Sequence, residues 1–125
     1  MSVARLPGGN IVLTLTSDEL AGVRQSLNEV CHGYKVPNFR NQIGADKDVV
    51  ARLLDQTIRR NPMKVVSSGE DEYHATFTPD EAIIIVNAMK ETLREFRPGE
   101  FQTRIGLEIE EAKRLISTLE SGLSS

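Results

Sequence analysis

Few residues in this chain have side chains suited to metal binding or nucleophilic chemistry: one cysteine, Cys31, and two histidines, His32 and His74. Cys31 and His32 are adjacent, and thiolate and imidazole are both zinc ligands. Successive residues of a helix point about 100° apart, however, and no other cysteine or histidine lies nearby in the sequence. The pattern therefore predicts a buried structural thiol, and we expect neither a metal nor any other cofactor.

Phosphate-binding loops and paired acid–base catalysts are not indicated either. Neither a Walker-type glycine loop nor a dinucleotide-binding glycine motif follows a predicted strand. Acidic residues stand instead at predicted helix starts, such as Asp18-Glu19 and Asp80-Glu81, where the helix dipole favours negative charge. The sequence thus names no catalytic residue, and we expect a protein that is not an enzyme.

The elements that position these residues follow from an internal repeat. A shift of 62 residues places Phe39 on Phe101 and Gly44 on Gly106, among 11 identities between positions 3 and 54 and their counterparts. A self-match at a fixed period indicates one supersecondary unit used twice. We therefore expect a single domain over residues 1–125, made of repeats 1–62 and 63–125.

A predicted hairpin opens each repeat, with strands over 3–6 and 11–15 in the first and over 63–66 and 73–77 in the second. Alternation gives each hairpin an inward apolar face. The residues left for the outward face are Val12, Thr14, His74 and Thr76.

Helices are predicted to complete each repeat. Capping boxes at Thr16–Glu19 and Thr78–Glu81 begin the first helix, despite the β-branched run that follows Glu81. A short helical segment ending at Gly44 or Gly106 then precedes a longer helix, which Asn61-Pro62 terminates in the first repeat. The predicted fold class is α+β: a duplicated ββαα unit with a four-stranded antiparallel sheet, helices and a pseudo-twofold axis.

The corners at the two glycines resemble a helix-turn-helix. That family places apolar residues five before the glycine, on either side of it, and six and nine beyond it. The matching segments are Phe39-Arg40-Asn41-Gln42-Ile43-Gly44-Ala45 with Val50 and Leu53, and Phe101-Gln102-Thr103-Arg104-Ile105-Gly106-Leu107 with Ala112 and Leu115. The resemblance implies a nucleic-acid-binding regulator as the alternative function. Its implied contact residues are Arg40, Gln42, Lys47, Arg104 and Lys113.

Two departures from that family favour a structural corner instead. Arg40 and Gln102 stand where the family favours a small residue. The second helices also open with Asp46-Lys47-Asp48 and Glu108-Ile109-Glu110-Glu111, whose carboxylates DNA phosphates would repel. The segment Leu27–Gly33 together with Phe101–Gly106 is also similar to a set of short uncharacterised bacterial proteins with an F-x-T-R-I-G segment, which implies no particular activity.

The helix after the second hairpin is apolar at four consecutive positions, from Ile83 to Val86. Such a helix has apolar residues around its whole circumference and is normally buried on all sides. It is therefore either the central helix of the domain or one whose extra face meets another protein. In the second case Ile83, Ile84 and Val86 form the interface, and a homodimer is one expected result.

The composition and net charge of the chain limit the kinds of function that we expect. The chain has 125 residues, 39% of them hydrophobic and 26% charged, and a net charge of −3, which disfavours nucleic acid as a partner. A single cysteine indicates a reducing compartment, and neither a signal peptide nor a membrane span is apparent. We expect a cytoplasmic, non-enzymatic protein–protein interaction module whose partner is another protein or itself; an immunity or antitoxin type of protein is one version.

Overall fold

The computed structural model describes residues 2–58 and 64–124. Each of these two ranges contributes two strands and three α-helices in the same order. The short segment that was predicted before each corner glycine, Gly44 or Gly106, forms a separate helix. The elements are β1 (Ser2–Arg5), β2 (Ile11–Leu15), α1 (Ser17–Asn28), a π-helical turn (Glu29–Gly33), α2 (Phe39–Ile43), α3 (Lys47–Ile58), β3 (Val65–Gly69), β4 (Glu72–Phe77), α4 (Pro79–Glu95), α5 (Pro98–Ile105) and α6 (Ile109–Ser124). The duplication itself stays a prediction.

The four strands form one antiparallel sheet in the order β1-β2-β4-β3. The central pair joins the two ranges, with Leu13 opposite Ala75 and Val12 opposite Thr76. This arrangement confirms the α+β class with a four-stranded antiparallel sheet. β3 continues to Gly69, beyond its predicted end, while predicted strand residue Met63 lies outside the described residues.

The helices cover one face of the sheet. The inward side chains of the central strands are fully or almost fully buried; they are Ile11, Leu13, Leu15, Ala75 and Phe77. The predicted inward residue Tyr73 is only half-buried. Because the helices supply the other half of this core, the opposite face of the sheet is left without a helical layer.

Both predicted capping boxes form. The Thr16 hydroxyl accepts a hydrogen bond from the Glu19 amide at 3.2 Å, while the Glu19 carboxylate accepts one from the Thr16 amide at 2.9 Å. Thr78 and Glu81 make the same two bonds, and Pro79 occupies the first turn of α4. These caps fix the start of α4 as a helix although its next residues are β-branched.

The first helix does not end as simply as the sequence suggests. It continues beyond Asn28 as the π turn, whereas α4 runs regularly to Glu95. The Glu29 carboxylate folds against Gly33, where an added Cβ atom would overlap it unless the carboxylate moved. The predicted end of α3 at Asn61-Pro62 lies outside the described residues.

The two ranges interlock through their helices. The α2–α3 corner lies on α4, where the Asn87 side-chain amide donates a hydrogen bond to the Ile43 carbonyl oxygen at 3.0 Å. The corner between α5 and α6 packs on α1, with the buried Leu107 side chain directly against Gly22. Each corner is therefore held by the first long helix of the other range.

Candidate functional site

The two helical corners have the geometry that their sequence indicates. Gly44 and Gly106 adopt φ angles of 97° and 83°, which favour glycine, and their amides close the preceding helices. The predicted apolar positions are buried or half-buried; they are Phe39, Ile43, Ala45, Val50, Leu53, Phe101, Ile105, Leu107, Ala112 and Leu115. This packing forms the interior of the protein and by itself creates no binding site.

In three of the five residues proposed for nucleic-acid contact, the charged group contacts another side chain of the same helical corner. The Arg40 guanidinium lies 3.5 Å from the Asp46 carboxylate, and the Lys113 ammonium lies 3.7 Å from that of Glu110. The Lys47 ammonium stands over the Phe39 ring, 5.5 Å from its centroid. All three cations are on the surface, but each faces an acid or an aromatic ring of its own chain.

Arg104, the fourth of these residues, reaches across to the other range. Its guanidinium lies 3.3 and 3.4 Å from the two carboxylate oxygens of Glu29 and 4.8 Å from the centroid of the Phe96 ring. Glu100 approaches the same guanidinium at 3.8 Å. Because Glu29 is buried, this ion pair neutralises a carboxylate that would otherwise be costly to remove from water.

Gln42, the fifth, belongs to an equivalent arrangement around Glu91. Glu91 is also buried, and the Arg94 guanidinium pairs with its carboxylate at 2.5 Å. Arg94 donates a further hydrogen bond to the Gln42 side-chain oxygen at 3.2 Å. Gln42 stands at the position that corresponds to Arg104 under the 62-residue shift, so Arg94 supplies the cation that this position lacks.

Tyr34 completes this group, which we name the carboxylate–arginine cluster: Glu29, Tyr34, Glu91, Arg94, Phe96 and Arg104. The Tyr34 ring meets Phe96 edge-on, with centroids 5.3 Å apart. Burial first, and then the nearby carboxylates of Glu91, Glu95 and Glu29, raise the pKa of the phenol. Its buried hydroxyl has no hydrogen-bond partner among the described residues. Both buried carboxylates in the cluster pair with an arginine: Glu29 pairs with Arg104 of α5, and Glu91 pairs with Arg94 of the same helix, α4.

The proposed interface on α4 is wrong for two of its three residues. Ile84 and Val86 are 4% and 5% exposed and belong to the core, while Ile83 is 42% exposed beside Gly44. The physical reason is that α4 is enclosed by the sheet, α1, α2 and α6, which leaves only one line of its surface open. α4 is therefore the central helix of the fold, and the three-residue patch does not exist.

A different surface stands out on the sheet. Strand register places two rows of side chains on the side away from the helices: Ser2, Thr14, His74 and Val66 in one row, and Ala4, Val12 and Thr76 in the next. Leu6 extends β1 on this side, because its amide continues the ladder by donating to the Asn10 carbonyl oxygen. We name these eight residues the outer sheet face. Val66 and Leu6 are 50% and 43% exposed.

The outer sheet face carries little charge. None of its eight residues has a permanent charge, but Glu72, the first residue of β4, points to the same side of the sheet, and Lys64 stands opposite Thr76, where it pairs with Glu81. His74 is its one titratable group, with Nε2 3.8 Å from the Glu72 carboxylate at the margin. Solvent-facing sides of antiparallel sheets normally carry polar and charged residues. The alternation of β2 and β4 in the sequence predicts four of these outward positions: Val12, Thr14, His74 and Thr76.

The remaining features offer weaker sites. Two shallow cavities open beside α1, one of about 470 Å³ at Glu19 and Arg114 and one of about 250 Å³ at Arg24 and Ile58. Burial raises the pKa of the Cys31 thiol, which the charge of Lys47 partly offsets. No three metal-ligating side chains come together in ranges 2–58 and 64–124, and no helix there is long and apolar enough to cross a membrane.

Comparison of the chain with family profiles, with curated proteins and with solved structures finds no match.

Proposed function

We propose that this protein acts by binding another protein through its outer sheet face, without catalysis of its own. The observation that supports this most is that eight outward positions carry no permanent charge and include the exposed residues Leu6 and Val66, while the carboxylate of Glu72 stands at one end of the same face. Leu6 and Val66 lie on opposite edge strands, β1 and β3, and their contact with a partner is favourable because leaving exposed apolar side chains in water is unfavourable. β-branched side chains on a sheet also form a rigid surface, which loses little entropy on binding.

The corners are less suited to a partner such as DNA. Arg40, Lys113 and Arg104 already lie beside carboxylates of the same chain, so binding phosphates would require breaking those pairs. Helices α3 and α6 also begin with acidic residues, where a recognition helix would meet the phosphate backbone. A protein partner on the sheet requires none of these rearrangements.

The test is a comparison of two matched variants. Thr76→Lys places a charge at the centre of the outer sheet face, and Thr103→Lys makes the same change at an exposed position on α5. Partners are captured from an extract of the native cells and identified, and their affinity is then measured with purified proteins. Burying an unpaired lysine costs roughly 2–3 kcal/mol, which weakens binding roughly 30- to 150-fold for Thr76→Lys. Thr103→Lys should bind like the wild type.

Two results would contradict the proposal. One is equal binding by both variants, which would place the binding surface elsewhere. The other is submicromolar binding of mixed-sequence duplex DNA that weakens steeply with salt, which would favour the helix-turn-helix alternative. Circular dichroism and thermal unfolding of each variant check that the sheet remains folded.

A further inference from the structure

We infer that the Asp71 carboxylate is a latch, closed while it is ionised, that holds the tip of the β3–β4 hairpin on the start of α1. Asp71 lies in the turn between the two strands. The hairpin carries Val66, His74 and Thr76 of the outer sheet face, so the latch also holds that part of the face in place. It does so whatever partner binds there.

Two hydrogen bonds connect the hairpin tip to the helix. The Oδ1 atom of Asp71 accepts one from the Ser17 amide at 2.9 Å and one from the Ser17 hydroxyl at 2.5 Å, although the two residues are 54 positions apart. Ser17 is the first residue of α1, and amides in the first turn of a helix have no partner within the helix. The capping box of Thr16 and Glu19 uses other amides, so Asp71 satisfies a donor that this cap leaves open. The helix dipole also favours a carboxylate at this position.

The backbone conformation of Asp71 points to a role for its side chain. Its φ angle is 51°, in the left-handed region that residues other than glycine rarely adopt. Glycine adopts this conformation without steric cost, so the backbone alone would favour glycine in the turn. The carboxylate is what the aspartate adds, and it is the group that contacts α1.

The first hairpin lacks both halves of this contact. The 62-residue shift aligns Asp71 with Gly9, which has a positive φ of 93° and nothing within 4 Å of a Cβ atom added there. The same shift aligns Ser17 with Pro79, which has no amide hydrogen to donate. A carboxylate therefore occurs where the helix start offers two donors, and is missing where the corresponding helix start offers neither of them. This difference favours a latch over a chance contact on the surface.

Protonation of Asp71 opens the latch. The hydrogen bond from the Ser17 hydroxyl, and then the one from its amide, hold the pKa of the Asp71 carboxyl below its ordinary value of 3.8. Because Ser17 binds the ionised form, the contact is intact above about pH 5 and is lost as the pH falls through the lowered pKa. The charged groups next to it on the hairpin and in the first turn of α1 are carboxylates as well: Glu70, Glu72, Asp18 and Glu19. Since these groups titrate in a similar range, substitution of Asp71 is needed to assign the effect.

Two measurements on the full chain test the latch, with Glu70→Gln as the control for Asp71→Asn. In ¹H–¹⁵N spectra recorded between about pH 7 and pH 2, the Ser17 amide proton should titrate with a midpoint below pH 3.8. Asp71→Asn should abolish this titration, because asparagine tolerates a positive φ but carries no charge. Glu70→Gln removes a charge from the same turn and should preserve the titration, because Glu70 is exposed and takes no part in the contact. At pH 7, amide hydrogen exchange at residues 69–72 should be about two- to tenfold faster in Asp71→Asn than in Glu70→Gln.

A Ser17 amide proton that does not titrate, that titrates with a midpoint at or above 3.8, or that titrates unchanged in Asp71→Asn would overturn the latch. Equal exchange rates at the hairpin tip in the two variants would do the same. The exchange measurement is made at neutral pH, so it decides the question even if the chain unfolds in acid. Neither result bears on the proposed function, which Thr76→Lys and Thr103→Lys test separately.

Discussion

Substituting Gly22 tests whether the two ranges interlock as described. A Cβ atom added to Gly22 would overlap the end of the Leu107 side chain and lie 2.7 Å from its Cγ atom. Leu107 is 1% exposed, so surrounding atoms limit its movement. Forcing an extra methyl group into such a contact costs about 1–3 kcal/mol. Replacing glycine by alanine inside a helix alone would add about 1 kcal/mol of stability, so the steric cost must exceed that gain.

The expected net effect of Gly22→Ala is a loss of up to about 2 kcal/mol in the free energy of unfolding, measured by urea denaturation. Gly99→Ala is the matched control, because a Cβ atom there has nothing within 4 Å. It should leave stability unchanged or raise it by up to about 1 kcal/mol.

In the double variant Gly22→Ala/Leu107→Ala the new methyl group partly fills the space left by the leucine. Its loss should therefore be smaller than the sum of the two single losses. If Gly22→Ala stabilises the protein as Gly99→Ala does, the described packing of the α5–α6 corner on α1 is incorrect.

Three further predictions concern the cluster and α4, each measured by urea or thermal unfolding. Arg104→Ala should cost about 1–3 kcal/mol because it leaves the buried carboxylate of Glu29 without its cation, a value reduced from that of a fully buried pair since Arg104 is partly exposed. Tyr34→Phe should be neutral or slightly stabilising, because it removes a buried hydroxyl without a partner. Since the pKa of this phenol is raised in the folded state, wild-type stability should be intact below pH of about 10 and fall as the pH rises further, and Tyr34→Phe should lessen that fall. Ile83→Asp should cost at most about 1 kcal/mol and Ile84→Asp more than about 4 kcal/mol, because only the second buries a charge; similar losses would contradict the position of α4.

Local signals in the sequence predicted much of the fold. The hydroxyl and carboxylate of a capping box lie three residues apart, so Thr16–Glu19 and Thr78–Glu81 could be recognised without any tertiary information. The glycines at the two corners are identifiable for the same reason, since their positive φ angles are a local requirement. The alternation of β2 and β4 likewise assigned the inward and outward positions correctly.

Long-range pairing could not be derived in this way. Glu29 and Arg104 are separated by 75 positions, and nothing local indicates that the π turn brings the glutamate to α5. The division of Ile83 from Ile84 also depends on which elements surround α4, because all sides of that helix are apolar. The outer sheet face cannot be recognised from the sequence either, because its residues are individually ordinary and only the strand register places them together.

The most direct test of the binding surface is a residue-resolved NMR titration. The ¹⁵N-labelled chain is observed while a captured partner is added in excess. The largest changes in amide chemical shift should occur at Val12, Thr14, His74 and Thr76, with little change at the corners. Shifts concentrated instead at Arg40 and Lys113, with the sheet amides unaffected, would contradict the assignment of binding to the outer sheet face.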